Sequence, residues 1–238
     1  MVFCARAKCE VAADGGKKVT DVSHHRMVFL GPPASGKGTA AAALSVALGV
    51  PHVSTGQMFR EAIRKDGPVG EAAKQFIDKG QLVPDEITIE VVRLWLNEHG
   101  RGGGFIFDGF PRTLAQAEAF DRVLRDGGIP VTVAILLDVR ETDILQRVLG
   151  RLSCEKCGAL YHNRFVPSQR PGICDKCGGP LTQRADDTAE TVRKRLDVYR
   201  ELTMDVVKYY ERAGILKRVD GGQAKDKVFA DIVGLLPT

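Results

Sequence analysis

Short, wholly apolar runs alternate along this chain with longer stretches in which apolar residues recur every three or four positions. The runs are Met27-Val28-Phe29-Leu30, Phe105-Ile106-Phe107, Val131 to Leu137 and Ile215 to Val219, with a weaker one at Val50 to Ser54. Runs of this length without polar alternation predict strands buried on both faces. Lys37 to Leu48 is alanine-rich and predicts a helix. Ile87, Val91, Leu94 and Trp95 fall on one face of a second helix, and Val192, Leu196, Tyr199, Thr203 and Val206 on one face of a third. Asp187-x-x-Glu190 has the form of a capping box opening that third helix, and Gly214 is placed to close it. Buried strands alternating with amphipathic helices predict an α/β fold, a parallel sheet with helices on both faces.

Two stretches break this rhythm. Met1 to Arg26 shows no steady apolar period, and the Gly15-Gly16-Lys17-Lys18 break predicts a flexible extension (1–26). Met27 could be the true start. The acids Glu10, Asp14 and Asp21 weaken a transit-peptide reading, and no apolar stretch of the secretory kind is present. Arg151 to Asp187 is rich in cysteine, proline and glycine and predicts an inserted minidomain.

Composition narrows the class. With 238 residues, 44% hydrophobic and 27% charged, the chain can bury one sizeable core with a small insert. A formal net charge of +4 and 6% aromatics give no support for a nucleic-acid partner. No apolar run approaches the roughly 20 residues that cross a bilayer. These features predict a cytoplasmic protein with neither nucleic-acid nor membrane partners.

The richest motif follows the first strand. Gly31-Pro32-Pro33-Ala34-Ser35-Gly36-Lys37-Gly38-Thr39 has the spacing of a phosphate-binding loop. Such a loop turns backbone N–H groups toward phosphate oxygens at a helix N-terminus, and its lysine reaches the β- and γ-phosphates. Gly38 stands where the generic motif has Ser or Thr, and Thr39 follows it.

Four cysteines sit in the insert as Cys154-x-x-Cys157-Gly158 and Cys174-x-x-Cys177-Gly178, with sixteen residues between the inner pair. Two such knuckles can wrap one tetrahedral ion, and four thiolates leave no open position, so the site would be structural. Zinc is the expected metal. Iron, or thiols that are reduced or disulfide-linked, are the alternatives. Cys4 and Cys9 fit no complete site and predict free thiols. The five histidines fit no ligand pattern and are expected at the surface or in packing.

The Gly-Lys-Gly-Thr variant is carried by nucleoside monophosphate kinases, and the rest of their pattern follows in order. Val53-Ser54-Thr55-Gly56-Gln57-Met58-Phe59-Arg60, Ile77 to Glu86, Gly104 to Thr113 with Gln116, and Asp186-Asp187 with Thr191 to Leu196 together resemble the adenylate kinase family from Met27 to about Ile232. The resemblance implies a P-loop NTPase-like three-layer fold with a five-stranded parallel sheet. It implies a core (27–53, 84–150, 188–238), an AMP-binding subdomain (54–83) and a zinc-binding lid (151–187). The implied reaction is phosphoryl transfer between MgATP and AMP giving two ADP, by a monomer.

Residue roles follow the matched motifs. Ala34, Ser35, Gly36, Lys37, Gly38 and Thr39 would hold the ATP phosphates. Arg147 and Arg151, with Leu160 and Tyr161 from the lid and Gln223 from the core, would complete the ATP site. Thr55, Arg60, Gly109, Phe110, Pro111, Arg112 and Gln116 would bind AMP. Gln116 would read the adenine edge, and the backbone of Gln81, Leu82 and Val83 would flank the base. Arg112, Arg147, Arg151, Arg184 and Arg195 would surround the transferring group, and Asp108 would hold Mg²⁺ through its waters. Ala34 and Gln57 replace the usual Gly and Asp, and Ala40 stands where Gln is common. Ala34 would strain the loop if its φ were positive.

The chemistry suits this set. An AMP phosphate oxygen is already an anionic nucleophile, so charge must be managed and no base is required. Arginine's planar fork pairs bidentately with phosphate and stays protonated. The rivals are a UMP, CMP or GMP kinase, a zinc-ribbon nucleic-acid-binding protein without kinase activity, and a silent nucleotide sensor.

Overall fold

The computed structural model of the chain describes residues 25–65, 68–99 and 103–236. The predicted extension lies, but for residues 25 and 26, outside the described residues, and so do Cys4 and Cys9. In chain order the elements are β1 (Arg26–Leu30), α1 (Lys37–Leu48), β2 (His52–Ser54), α2 (Thr55–Arg64), α3 (Pro68–Ile77), α4 (Asp85–His99), β3 (Phe105–Asp108) and α5 (Leu114–Asp126). There follow β4 (Val133–Asp138), α6 (Glu141–Leu149), β5 (Arg151–Cys154), β6 (Leu160–His162), β7 (Leu181–Thr182) and α7 (Ala189–Val198). A π turn (Tyr199–Thr203) joins α7 to α8 (Met204–Arg212), and β8 (Leu216–Asp220) and α9 (Lys225–Leu235) complete the fold. Among the described residues no helix is long and apolar enough to cross a membrane.

Each predicted run is a strand. They form one parallel sheet in the order β2-β3-β1-β4-β8, with Phe29 beside Asp108 and Val28 beside Ala134. Side chains alternate across its two faces. Val28, Leu30, Phe107 and Leu136 point to one core with Val92, Phe120 and Tyr210 from α4, α5 and α8. Met27, Phe29, Ile106 and Ile135 point to the other with Leu44 and Ile232 from α1 and α9. Burial on both faces explains the unbroken apolar runs. The chain crosses β1 between β3 and β4, so the carboxyl ends of these three strands frame a crevice, where open α/β sheets bind ligands.

Two expectations need correction. The buried positions of α4 are Thr88, Val92 and Leu96, one residue on from the predicted stripe, and Leu94 is half exposed. Helix α4 serves two cores: Ile87 and Val91 pack against Phe59, Ala73 and Val83, while Trp95 leans on the central aromatic cluster. Two partly overlapping stripes shift the best-fitting face. The cap of α7 is Thr188, whose hydroxyl accepts from Thr191 N at 3.1 Å. Asp187 is instead taken by Arg151, so charge pairing outcompetes the capping pattern.

The insert between α6 and α7 forms a separate three-stranded antiparallel sheet, β6-β5-β7. Its core is small: Cys154, Tyr161, Cys174 and Leu181 are the buried residues.

Candidate active site

The loop after β1 packs tightly against the sheet. A Cβ on Gly31 would stand 2.6 Å from the Leu137 carbonyl oxygen, so no larger residue fits. Ala34 has φ 54, the strained left-handed conformation anticipated above. Its methyl packs with the Ile144, Val148, Val192 and Leu196 cluster, which offsets part of the strain. Lys37 curls into the loop: Nζ donates to the carbonyls of Gly31 at 2.8 Å and Pro32 at 2.7 Å. Burial lowers its pKa to about 8, Asp108 opposing and Arg112 and Arg151 adding to the shift.

Asp108 ends β3 and faces the loop. Burial favours its neutral form, yet His52, with Nε2 3.6 Å away, and Lys37 outweigh this and hold the carboxyl below its ordinary range. A Cβ at position 38 would come within 3.1 Å of Asp108 Oδ2, so a side chain there would crowd the carboxylate. Thr39 is exposed.

Around this centre gather Arg60, Arg112, Arg151, Arg184 and Arg195. Burial together with Arg195 and Arg60 pushes Arg112 down to about 10. Burial and the charges of Arg60 and Arg151 push Arg184 down to about 9, and its Nε has no hydrogen-bond partner among the described residues. Both remain protonated at neutral pH. The counter-charges are Asp186, bonded to Arg195, and Asp187, bonded to Arg151. With Lys37 the cluster holds six cations against Asp108, Asp186 and Asp187. Three positive charges stay unbalanced in a half-buried crevice, an environment that demands a polyanion.

The remaining predicted residues divide. Thr55 donates to the Gly109 carbonyl at 3.1 Å and is buried. The Gln116 amide is engaged at both ends: Oε1 accepts from Arg112 N at 2.8 Å and Nε2 donates to Asp85 at 2.7 Å. Phe110 is buried in the core, joined to Pro111 by a cis bond. Val83 is buried between α2, α3 and α4, while Gln81 is exposed. Arg147 donates to the main chain of Ser35 and Gly221 and so ties the phosphate loop to the β8–α9 connection. Gln223 lies in that connection, bonded to Asp220 and Asp231. The Tyr161 side chain faces the cysteines, its hydroxyl 3.6 Å from Cys174 Sγ.

His52 had no legible signal, and the counter-ion roles of Asp186 and Asp187 had none either. The aspartates stand in a matched motif, but their service as counter-ions depends on α7 returning beside the lid.

The insert of residues 151–187 reaches the phosphate loop. Leu160 Cδ1 is 3.5 Å from the Cβ position of Gly38. Gln57 on α2 touches Gly158 in the first knuckle, and Arg64 donates to the Glu155 carbonyl. The segments 54–83 and 151–187 therefore meet each other.

The four cysteine sulfurs lie within 4.8 Å of one another. Sulfurs about 2.3 Å from a tetrahedral zinc stand about 3.8 Å apart. The Cys154–Cys177 and Cys157–Cys174 separations of 3.4 and 3.6 Å approach this spacing and are far from a disulfide bond. The donor set fits a closed, structural metal site.

Residues 29–215 match the family model described as Adenylate kinase. The chain is similar to the adenylate kinase of Moorella thermoacetica, 50% identical over 199 residues, which are 84% of this chain and 92% of that protein. It is similar to the adenylate kinase of Clostridium tetani, 46% identical over 210 residues, 88% of this chain and 97% of that one. The adenylate kinase of Thermodesulfovibrio yellowstonii is 45% identical over 211 residues, 89% of this chain and 98% of its own. The matched span contains the phosphate loop and every arginine of the cluster, and the chain belongs to the adenylate kinase family.

Proposed function

We propose that this chain catalyses reversible phosphoryl transfer between MgATP and AMP, giving two ADP, in a crevice closed by its two inserts. The observation that carries the reading is the unbalanced cation cluster of Lys37, Arg60, Arg112, Arg151, Arg184 and Arg195 at the carboxyl edge of the sheet. Two nucleotides bring the negative charge that this cluster lacks.

In this reading the loop of Ala34 to Thr39 cradles the ATP phosphates with backbone N–H groups at the start of α1. Arg147 holds the loop in register, and Leu160, the Tyr161 main chain and Gln223 border the ATP site. Thr55, Arg60, the 81–83 backbone, Gly109 to Arg112 and Gln116 form the acceptor site, with 54–83 as the arm that carries much of it. Gln116 keeps one free hydrogen and one free lone pair for an adenine edge. Arg112, Arg151, Arg184 and Arg195 stabilise the spread charge as the phosphoryl group passes. No side chain needs to remove a proton from the acceptor. Mg²⁺, when it accompanies ATP, neutralises phosphate charge. Asp108 suits it, since it stays ionised and faces the space that Gly38 leaves open. Cys154, Cys157, Cys174 and Cys177 would hold one Zn²⁺ that stiffens the 151–187 lid.

Closure would bring the lid arginines to the acceptor arm and exclude water. We read the protein as a cytoplasmic monomer. The test offers MgATP with AMP, CMP, UMP and GMP in parallel and follows the diphosphates by chromatography. AMP should be preferred by at least about a hundredfold in kcat/KM, a discrimination within reach of hydrogen-bonded base recognition. Equal use of another acceptor would move the chain to a sister kinase.

A further inference from the structure

Thr203 is buried, 6% exposed, and closes the π turn between α7 and α8. A threonine within a helix commonly bonds the carbonyl one turn back. Here the hydroxyl reaches across the fold, and Oγ1 donates to the main-chain carbonyl of Arg112 at 2.9 Å. The arginine's peptide units are thereby held on both sides, since Arg112 N already donates to Gln116 Oε1. Its own Nε is anchored at 2.7 Å on the Gly109 carbonyl.

The π turn sets this aim. Val192 and Leu196 of α7 pack with Ile144 and Val148 of α6, whereas Val206, Val207 and Tyr210 of α8 enter the core beneath the sheet. A single π turn takes up one extra residue and turns the following face by about 100°. One helical rod thus serves two cores. Arg195, which is bonded to Asp186, lies on α7 four residues before the turn, and Thr203 lies at its end. The rod links the cluster's lid-side arginine to the backbone of its acceptor-side one.

We propose that Thr203 is a positioning residue for the transfer reaction: from the π turn it fixes the main chain of Arg112, and so the place of the guanidinium relative to Arg195. The inference rests on the reading of Arg112 as a group that touches the phosphoryl being moved. A buried threonine could serve packing alone, and valine preserves that packing while removing the hydroxyl.

The experiment compares wild type, Thr203→Val, Thr203→Ser and Arg112→Lys in steady-state kinetics with each nucleotide varied, alongside thermal melts. Thr203→Val should lower kcat/KM for AMP about tenfold, with KM for ATP within about twofold of wild type. Thr203→Ser, which keeps the hydroxyl, should restore most of the loss. Should the valine variant not fold, Thr203→Ala carries the same expectation. Wild-type kinetics for Thr203→Val, or equal losses in the serine and valine variants that track a lowered melting temperature, would overturn the inference. Arg112→Lys separates the two layers. A large loss there beside an unaffected Thr203→Val sinks only the role of Thr203, while wild-type activity in Arg112→Lys sinks the reading beneath it.

Discussion

At the residue scale, two side chains carry consequences that can be measured. Ala34 occupies a left-handed conformation that costs an L-residue about 1–2 kcal/mol. Its packed methyl contributes up to about 0.8 kcal/mol in return, and glycine would add about 0.4–1 kcal/mol of unfolded-state entropy. These effects nearly cancel, so Ala34→Gly should move stability by less than about 1 kcal/mol in urea titrations. A change beyond about 2 kcal/mol would show that the loop strain or the packing is misjudged. Lys37 is the second case. Burial puts its pKa at about 8 in place of 10.5. A bound polyphosphate favours the charged lysine and raises that value. Between pH 8 and 10.5 the complex therefore holds more protons than the free protein, and nucleotide binding takes up protons there. Calorimetry at pH 8.5 in two buffers of different ionisation enthalpy should register uptake of up to about one proton, absent in Lys37→Met. Buffer-independent heats would refute the shift.

At the element scale, the cysteine knuckles make the clearest prediction. The lid's small sheet buries little besides Cys154, Tyr161, Cys174 and Leu181, so metal should supply much of its stability. Cys157→Ala, or extraction of the metal with a mercurial, should lower the melting temperature on the order of 10 °C. Elemental analysis finding no bound metal in the native protein would remove this explanation. What the sequence disclosed at this scale follows from physics that acts locally. The strands were legible because both faces of the sheet are buried, which leaves apolar runs such as Val133 to Leu137. The phosphate loop was legible because glycines and lysine must recur at fixed spacing. The buried face of α4 was not, because that helix packs into two cores at once. The π turn left no trace either: Val192, Leu196, Thr203 and Val206 fit a continuous helical stripe. Likewise the role of Asp187 was hidden, since its partner Arg151 lies thirty-six residues away in sequence.

At the scale of the whole molecule, the two inserts touch. Gln57 lies against Gly158, and Arg64 reaches the Glu155 carbonyl. On the proposal that the inserts close over the nucleotides, these contacts would belong to the closed arrangement and be lost on opening. An exposed hydrogen bond of this kind contributes about 0.5–1.5 kcal/mol. Arg64→Ala should therefore weaken binding of an analogue that links two adenosines through a polyphosphate by roughly two- to tenfold. If opening limits turnover, kcat should hold or rise. A lower kcat with unchanged analogue affinity would speak against a closed-state contact. His52, which no motif marks, and the paired aspartates, whose motif gave no hint of their partners, each tune or balance a charge that the chain brings together only on folding.

The central claim is that the closed cationic crevice passes a phosphoryl group to AMP and not to water. The most direct measurement supplies MgATP with and without AMP and follows ADP and inorganic phosphate together. The account predicts two ADP for each AMP consumed, with phosphate release slower by several orders of magnitude whether or not AMP is present. Phosphate release that matches ADP formation, or no ADP beyond that from hydrolysis, would contradict it.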